Sequence, residues 1–219
     1  SLAHRVWAAV SPFETRTVTR AAPHLDASRF AACAGYVALA ALGYWVAFTL
    51  AAQHHGALRQ ALRWGGGAVF VYAAVDAGVA LLNAVYRLSG IVLPPMHRAP
   101  ILSLSLQEFW GERWNLTVRD WFHRHCFLPL ARRRRLALGV LAAFGASTVL
   151  HVWIALVTAG WVPALMMGSF FVVQGILTVI ERRIGVLSWR PALGRAWAVL
   201  CLVGSSPLFV EPVLQALEG

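Results

Sequence analysis

His151 stands inside an apolar run, residues 136–159, about fifteen residues from its start. In a helix rising 1.5 Å per residue, the ring lies roughly 20 Å from that end. If the run crosses a bilayer, that depth is mid-membrane or beyond, where ionisable side chains are costly and usually face a cavity or a partner. The alternative is a neutral structural histidine bonded to Ser147, four residues back. Asp76 raises the same question in another apolar run. Tyr72, Asp76 and Asn83 fall at i, i+4 and i+11 on one helical face, so Asp76 is paired, protonated or catalytic. Gln174, in a third run, reads as a polar tie between helices. Before His151, residues 103–115 gather Ser105, Glu108, Trp110, Glu112, Arg113, Trp114 and Asn115. We read Asn115 and His151, 36 residues apart, as meeting in one site within the membrane.

The elements that must hold these residues are apolar spans. The chain is 59% hydrophobic and only 13% charged, against roughly a quarter charged in soluble domains. This composition predicts an all-α polytopic membrane protein, with about five transmembrane helices over residues 30–51, 64–86, 136–159, 164–180 and 196–213. Such lengths span a hydrocarbon core of ~30 Å. Residues 160–163 read as a turn with Trp161 at interface depth. The net charge is +10, and all 19 basic residues are arginine. Because these arginines sit between apolar runs, nucleic acid is not expected as a partner. Four fall in 1–29, nine in 87–135 and four in 182–195, against Arg59 and Arg63 in the alternate loops. By the positive-inside rule the N-terminus and the 87–135 connection are cytosolic, in a multi-pass protein of the cell membrane. Residues 1–29 read as a cytosolic lead-in without a cleavable signal. Cys33, Cys126 and Cys201 are scattered and suggest neither a disulfide framework nor a zinc site. One membrane-embedded domain, 1–219, is expected.

The 87–135 connection is too long for a structureless loop. Pro94, Pro95 and Pro100 oppose helix at its start, and Ser105 with Glu108 forms a capping box. Trp110, Trp114, Thr117 and Trp121 then follow at i, i+4, i+7 and i+11, predicting one helical stripe, with Asp120 and Arg124 as an i, i+4 pair. A basic helix with a Trp stripe should lie in the membrane interface; it is an anchor, a site, or both. Arg132, Arg133, Arg134 and Arg135 anchor the following span and are also placed to bind the phosphates of a nucleotide-bearing substrate. With the 87–135 connection in the cytosol, the sequon Asn115-Leu116-Thr117 is a chance match. The sequence holds no GxGxxG, Walker A, HExxH, GxSxG or DDxxD pattern, so no metal and no redox cofactor is expected.

The run 103–115 resembles the SLQ(D/E)FWGRRWN motif of wax synthases, in the membrane-bound O-acyltransferase superfamily. Residues 94–100 resemble the proline-bounded lead-in and Phe127-Leu128-Pro129-Leu130 the family's Y-x-P element. Residues 141–151 resemble its F-x-x-S-G-x-x-H helix, and 170–183 its later F-x-x-Q-G…E segment. The resemblance covers about residues 93–185. Glu112 stands where the motif has Arg, Val152 where the family often has Glu, and the spans are fewer than usual.

The resemblance implies an acyl-CoA:alcohol O-acyltransferase. His151 would be the general base on an acceptor hydroxyl that attacks the acyl-CoA thioester, and neutral imidazole is the form a base requires. Asn115 would hydrogen-bond the acyl carbonyl or the acceptor and stabilise developing negative charge. Arg113, Arg132 and Arg133 would hold CoA phosphates; Trp110, Trp114 and Asp76 would line the substrate path. The implied partners are acyl-CoA as co-substrate, a lipophilic alcohol or other hydroxyl acceptor, and the bilayer. Two other readings are a membrane-embedded terpene cyclase acting on a prenylated substrate, with Asp76 or Glu112 as proton donor, and a non-catalytic interaction protein.

Overall fold

The computed structural model describes residues 18–218, so the first part of the 1–29 lead-in lies outside the described residues. Among the described residues, five helical stretches are long and apolar enough to cross a membrane. The chain is an all-α polytopic membrane protein, save for a two-residue antiparallel pair of β1 (Thr19–Arg20) with β2 (Ile91–Val92). Two compact units account for the described residues, 95–209 in one and 18–94 with 210–218 in the other.

In the second unit, α1 (Ala27–Gln53) opens on Asp26. Its carboxylate accepts the Arg29 amide and pairs with the Arg29 guanidinium at 2.9 Å. Such a cap satisfies an orphan N–H of the first turn. A π turn at Val46–Leu50 precedes the end of α1. Only two residues separate it from α2 (Gly56–Leu88), so the expected 53–63 loop is mostly helix. The two helices meet backbone to backbone at Gly43 and Gly66: a Cβ at Gly66 would lie 2.7 Å from the Ala47 nitrogen. Near the start of α2, Arg63 pairs with Glu211 at 2.9 Å and Glu218 at 2.8 Å. The Trp64 indole donates to the same Glu211.

The 95–209 unit carries the sequence motif. Here α3 begins as Leu106–Glu108 and continues as a π turn, Phe109–Arg113. After a break at Trp114 and Asn115, α4 covers Leu116–Phe122, followed by a second π turn, His123–Phe127, and a short Leu128–Ala131 helix. The expected single stripe of Trp110, Trp114, Thr117 and Trp121 is therefore divided between two helices. The physical reason is Asn115, whose backbone is left-handed, φ 42° and ψ 57°, a region that ends a right-handed helix and that Asn tolerates better than most residues. The span α5 (Leu136–Ala159) has the predicted bounds. Only Gly160 breaks the chain before α6 (Trp161–Ile184), because Pro163 fits in a first turn, where its missing N–H has no intrahelical role. The last span comprises α7 (Pro191–Ser205) and α8 (Pro207–Glu218), divided at Ser206.

Close packing of α5 on α6 uses small residues. A Cβ at Gly168 would meet the Val152 side chain at 2.6 Å, and one at Gly175 would meet Phe144 at 2.9 Å. Lipid offers no hydrophobic drive to push two apolar helices together, so such close van der Waals contact is what joins them.

Candidate active site

His151 points into an aromatic cluster. Its ring lies 4.0 Å from that of Phe171 on α6, centroid to centroid, and 6.2 Å from that of Phe209 on α8. Phe170 and Phe171 pack on each other and on Phe209. The imidazole Nδ1 lies 2.8 Å from the Ser147 carbonyl oxygen and 3.4 Å from the Ser147 hydroxyl, so the i−4 partner expected from sequence is present. A carbonyl only accepts. Nδ1 must therefore carry the proton in this bond, which leaves Nε2 as the nitrogen with a free lone pair.

Trp110 joins the same cluster from α3. Its indole packs against Phe144 at 5.6 Å, Phe170 at 6.2 Å and Phe171 at 6.3 Å. The indole N–H donates to Gln174 at 2.9 Å. Gln174, fully buried, donates in turn to the Ser205 hydroxyl on α7 at 2.8 Å. Gln174 thus ties α3, α6 and α7 together, as its expected role required. Phe171 touches both Trp110 and His151, and so connects the sequence motif to the candidate base.

Asn115 is fixed by backbone on both sides. The Arg98 amide donates to the Arg113 carbonyl at 2.9 Å, and the Leu116 amide to the Met96 carbonyl at 2.8 Å. Between these bonds, the Trp114 ring is stacked between His97 at 4.4 Å and Phe109 at 5.6 Å. The proline-bounded lead-in is thus a clamp on residues 113–116. The Asn115 side-chain oxygen accepts the Val118 amide at 3.4 Å and caps α4. That leaves its NH2 group as the donor to offer elsewhere.

Arg113 is engaged with protein. Its guanidinium pairs with Glu108 at 2.6 Å and donates to the carbonyls of Arg98 and Ala99. Glu108 also accepts the Leu104 amide at 2.6 Å. In the expected capping box it would have bonded the amide of Ser105; it reaches one residue further back. Ser105 plays its half of the box, accepting the Glu108 amide at 2.9 Å. Burial opposes ionisation of Glu108, but the Leu104 amide and Arg113 outweigh it and hold the carboxyl below its ordinary range. Asp120 pairs with Arg119 at 2.8 Å, while the Arg124 Nε donates to the Asp120 carbonyl.

Arg132, Arg133 and Glu112 are not part of this cluster. Arg132 and Arg133 are exposed on the turn before α5, and Glu112 is exposed on α3. Asp76 belongs to the other unit, buried in α2 and hydrogen-bonded to Tyr72. Among the described residues no cluster of three metal-ligating side chains occurs. A cavity of about 320 Å³ opens near the start of α3, lined by Gln107, Ala137, Val140, Thr178, Val179, Arg182 and Arg183. Sequence reasoning met Glu181, next to this cavity in the chain, as the closing acid of the F-x-x-Q-G…E resemblance and gave it no role. It is fully buried and accepts the amides of Leu106 and Gln107 at 2.6 and 2.9 Å. Its signal was an acid at the end of an apolar span, seven residues after Gln174 and so on the same helical face.

Comparison with known proteins falls on the same residues. The sequence model of the membrane bound O-acyl transferase family matches residues 93–173. The chain is 31% identical over 147 residues to the Arabidopsis thaliana protein named "Probable long-chain-alcohol O-fatty-acyltransferase 3", covering 60% of this chain and 43% of that one. It is 33% identical over 100 residues to the long-chain-alcohol O-fatty-acyltransferase of Simmondsia chinensis, covering 42% and 28%. It is also 32% identical over 123 residues to acyl-CoA–sterol O-acyltransferase 1 of Arabidopsis thaliana, covering 52% and 35%. The chain thus spans less than half the length of the relatives it matches. No solved structure gives a significant match. The similarity to the membrane bound O-acyl transferase family and to these long-chain-alcohol O-fatty-acyltransferases is thus centred on residues 93–173, which hold Trp110, Asn115 and His151.

Proposed function

We propose that this chain transfers an acyl group from acyl-CoA to the hydroxyl of a lipophilic alcohol, with His151 as general base. The observation that carries the reading is the link from the sequence motif to the imidazole, Phe171 packing on both Trp110 and His151. The bond of Nδ1 to the Ser147 carbonyl, which a structural histidine would also make, leaves Nε2 able to take a proton, within a helix long and apolar enough to cross a membrane. In the proposed step Nε2 removes the acceptor's hydroxyl proton as the oxygen attacks the thioester carbonyl. The C–S bond then breaks, the ester forms, and the proton passes from His151 to the CoA sulfur, so that ester and free CoA are the products. General-base help of this kind contributes ~10²–10⁴-fold.

Asn115 offers its NH2 group to the carbonyl oxygen as negative charge develops there. Trp110 and Trp114 form the aromatic wall along which the acyl chain lies. Because Arg113 is occupied by Glu108, the cationic groups for the CoA phosphates are Arg132 and Arg133, with Arg182 and Arg183 at the 320 Å³ cavity. In this reading that arginine-bearing side is cytosolic, following the positive-inside distribution. Acyl-CoA approaches from there and the alcohol from the bilayer.

The test is CoA release, followed with a thiol reagent, from purified protein supplied with palmitoyl-CoA and a long-chain alcohol, a sterol or a diacylglycerol. Wild type should release CoA with at least one acceptor, and His151→Ala should reduce the rate at least 100-fold. Wild-type silence with every acceptor overturns the reading.

A further inference from the structure

We infer that Glu181 is a positioning residue for the proposed transfer. From α6 it caps the start of α3 and thereby sets where Trp110 packs against Phe171, the ring that also touches His151. The carboxylate is fully buried. Its Oε2 accepts the Leu106 amide at 2.6 Å and the Trp197 indole N–H at 3.0 Å. Its Oε1 accepts the Gln107 amide at 2.9 Å and the Gln107 side-chain amide at 3.4 Å. Every one of these partners is a donor, and a carboxylate with two oxygens is the side chain that can accept all four.

The first amides of a helix have no partner within it. In α3 the Glu108 amide goes to the local cap, Ser105, while those of Leu106 and Gln107 go to Glu181, 75 and 74 residues away in the chain. Negative charge at a helix N-terminus is also favoured by the aligned peptide dipoles. Ordinary capping is local. This cap instead ties the motif helix to a span and, through Trp197, to α7.

The geometry extends from the cap to the site. Gln174 lies seven residues before Glu181, two turns or about 10.5 Å along α6. Glu181 holds the start of α3 and Gln174 holds the Trp110 indole, so two bonds fix the register of α3 against α6. Phe171, one turn further, packs on Trp110 and on His151. If the start of α3 shifts, Trp110 moves relative to the imidazole although neither side chain has changed. A third constraint comes from α7, where a Cβ at Gly194 would collide with the Leu104 carbonyl, two residues before the helix.

The consequence for turnover rests on the acyltransferase reading; the consequence for α3 does not. In Glu181→Gln the side chain keeps one acceptor oxygen and turns an NH2 group toward donors. The full chain is purified, and hydrogen exchange of peptides covering residues 103–109 is compared with CoA release. Exchange of the Leu106 and Gln107 amides should rise at least tenfold while peptides within α5 stay unchanged. Per folded molecule, kcat should fall at least tenfold with KM for palmitoyl-CoA within about twofold. Trp110→Phe and Trp110→Phe/Glu181→Gln should share one kcat, since the carboxylate acts through the indole. Trp197→Phe, which removes a single donor and spares the fold, should move exchange and kcat in the same direction by less. Unchanged exchange at 106 and 107 overturns the inference, and so do additive losses in the double variant. If wild type releases no CoA, the acyltransferase reading fails while the exchange result still decides the cap.

Discussion

At the scale of single residues, His151 and Asn115 differ in how their roles can be separated from folding. The His151 Nδ1 bond goes to a backbone carbonyl. Ser147→Ala should therefore leave the tautomer and, within about threefold, the rate of CoA release, while His151→Gln loses at least 100-fold at an unchanged Tm. Asn115 has two duties, a left-handed backbone and a cap. Asp tolerates that backbone and caps as well as Asn, but it lacks the NH2 donor. Asn115→Asp should keep Tm within a few degrees and lose at least 100-fold in rate. A variant that retains wild-type turnover rules out the amide as an electrostatic partner. Glu108 makes a pH prediction. Its carboxyl is held below the ordinary range, so its stabilising contribution is complete above the unfolded carboxyl range and is lost as pH falls through the folded value. Glu108→Gln should cost about 1–2 kcal/mol at neutral pH, a difference that closes in acid when the two Tm curves are compared.

At the scale of elements, the spans were legible and their junctions less so. Residues 136–159 form a helix with the predicted ends because an uninterrupted apolar run lies between Arg135 and Gly160. The 160–163 turn shrank to Gly160, since a proline in a first turn costs no hydrogen bond. The Trp stripe of the motif satisfied helical spacing across a point where the backbone is not helical; periodicity reports side-chain types and cannot see a left-handed Asn. The role of Glu181 was not legible for a related reason: two of its partners are backbone amides far along the chain, which have no sequence signature of their own. The contact of α7 with the motif gives a direct test. Gly194→Ala would place a methyl group against the Leu104 carbonyl, backbone that cannot rotate away. It should lower stability by about 1–3 kcal/mol and reduce turnover, whereas Gly204→Ala, where a Cβ meets nothing, should do neither.

At the scale of the molecule, the arginine distribution makes the proposed orientation testable. A cysteine introduced by Arg134→Cys, in a background lacking Cys33, Cys126 and Cys201, should react with an impermeant maleimide in inverted vesicles and resist it in intact cells. The opposite pattern reverses the proposed topology. The unit formed by 18–94 with 210–218 has its own polar tie, Arg63 with Glu211 and Glu218. Losing the guanidinium leaves a half-buried carboxylate without its cation. Arg63→Gln should therefore lower stability by about 2 kcal/mol, read as Tm, with turnover per folded molecule unaltered.

The π turn at Phe109–Arg113 adds one residue to a helical turn at the centre of the motif. Deleting Gly111, whose surroundings are open, would let the segment relax to an ordinary α-helix without a steric clash. Every later residue would then swing by ~100°, the angle between neighbours in an α-helix, and Trp114 would leave its place between His97 and Phe109. The length of the motif is therefore under the same constraint as its letters. In a library of single-residue deletions, members lacking one residue of 109–113 should be made and inserted normally yet turn over no substrate.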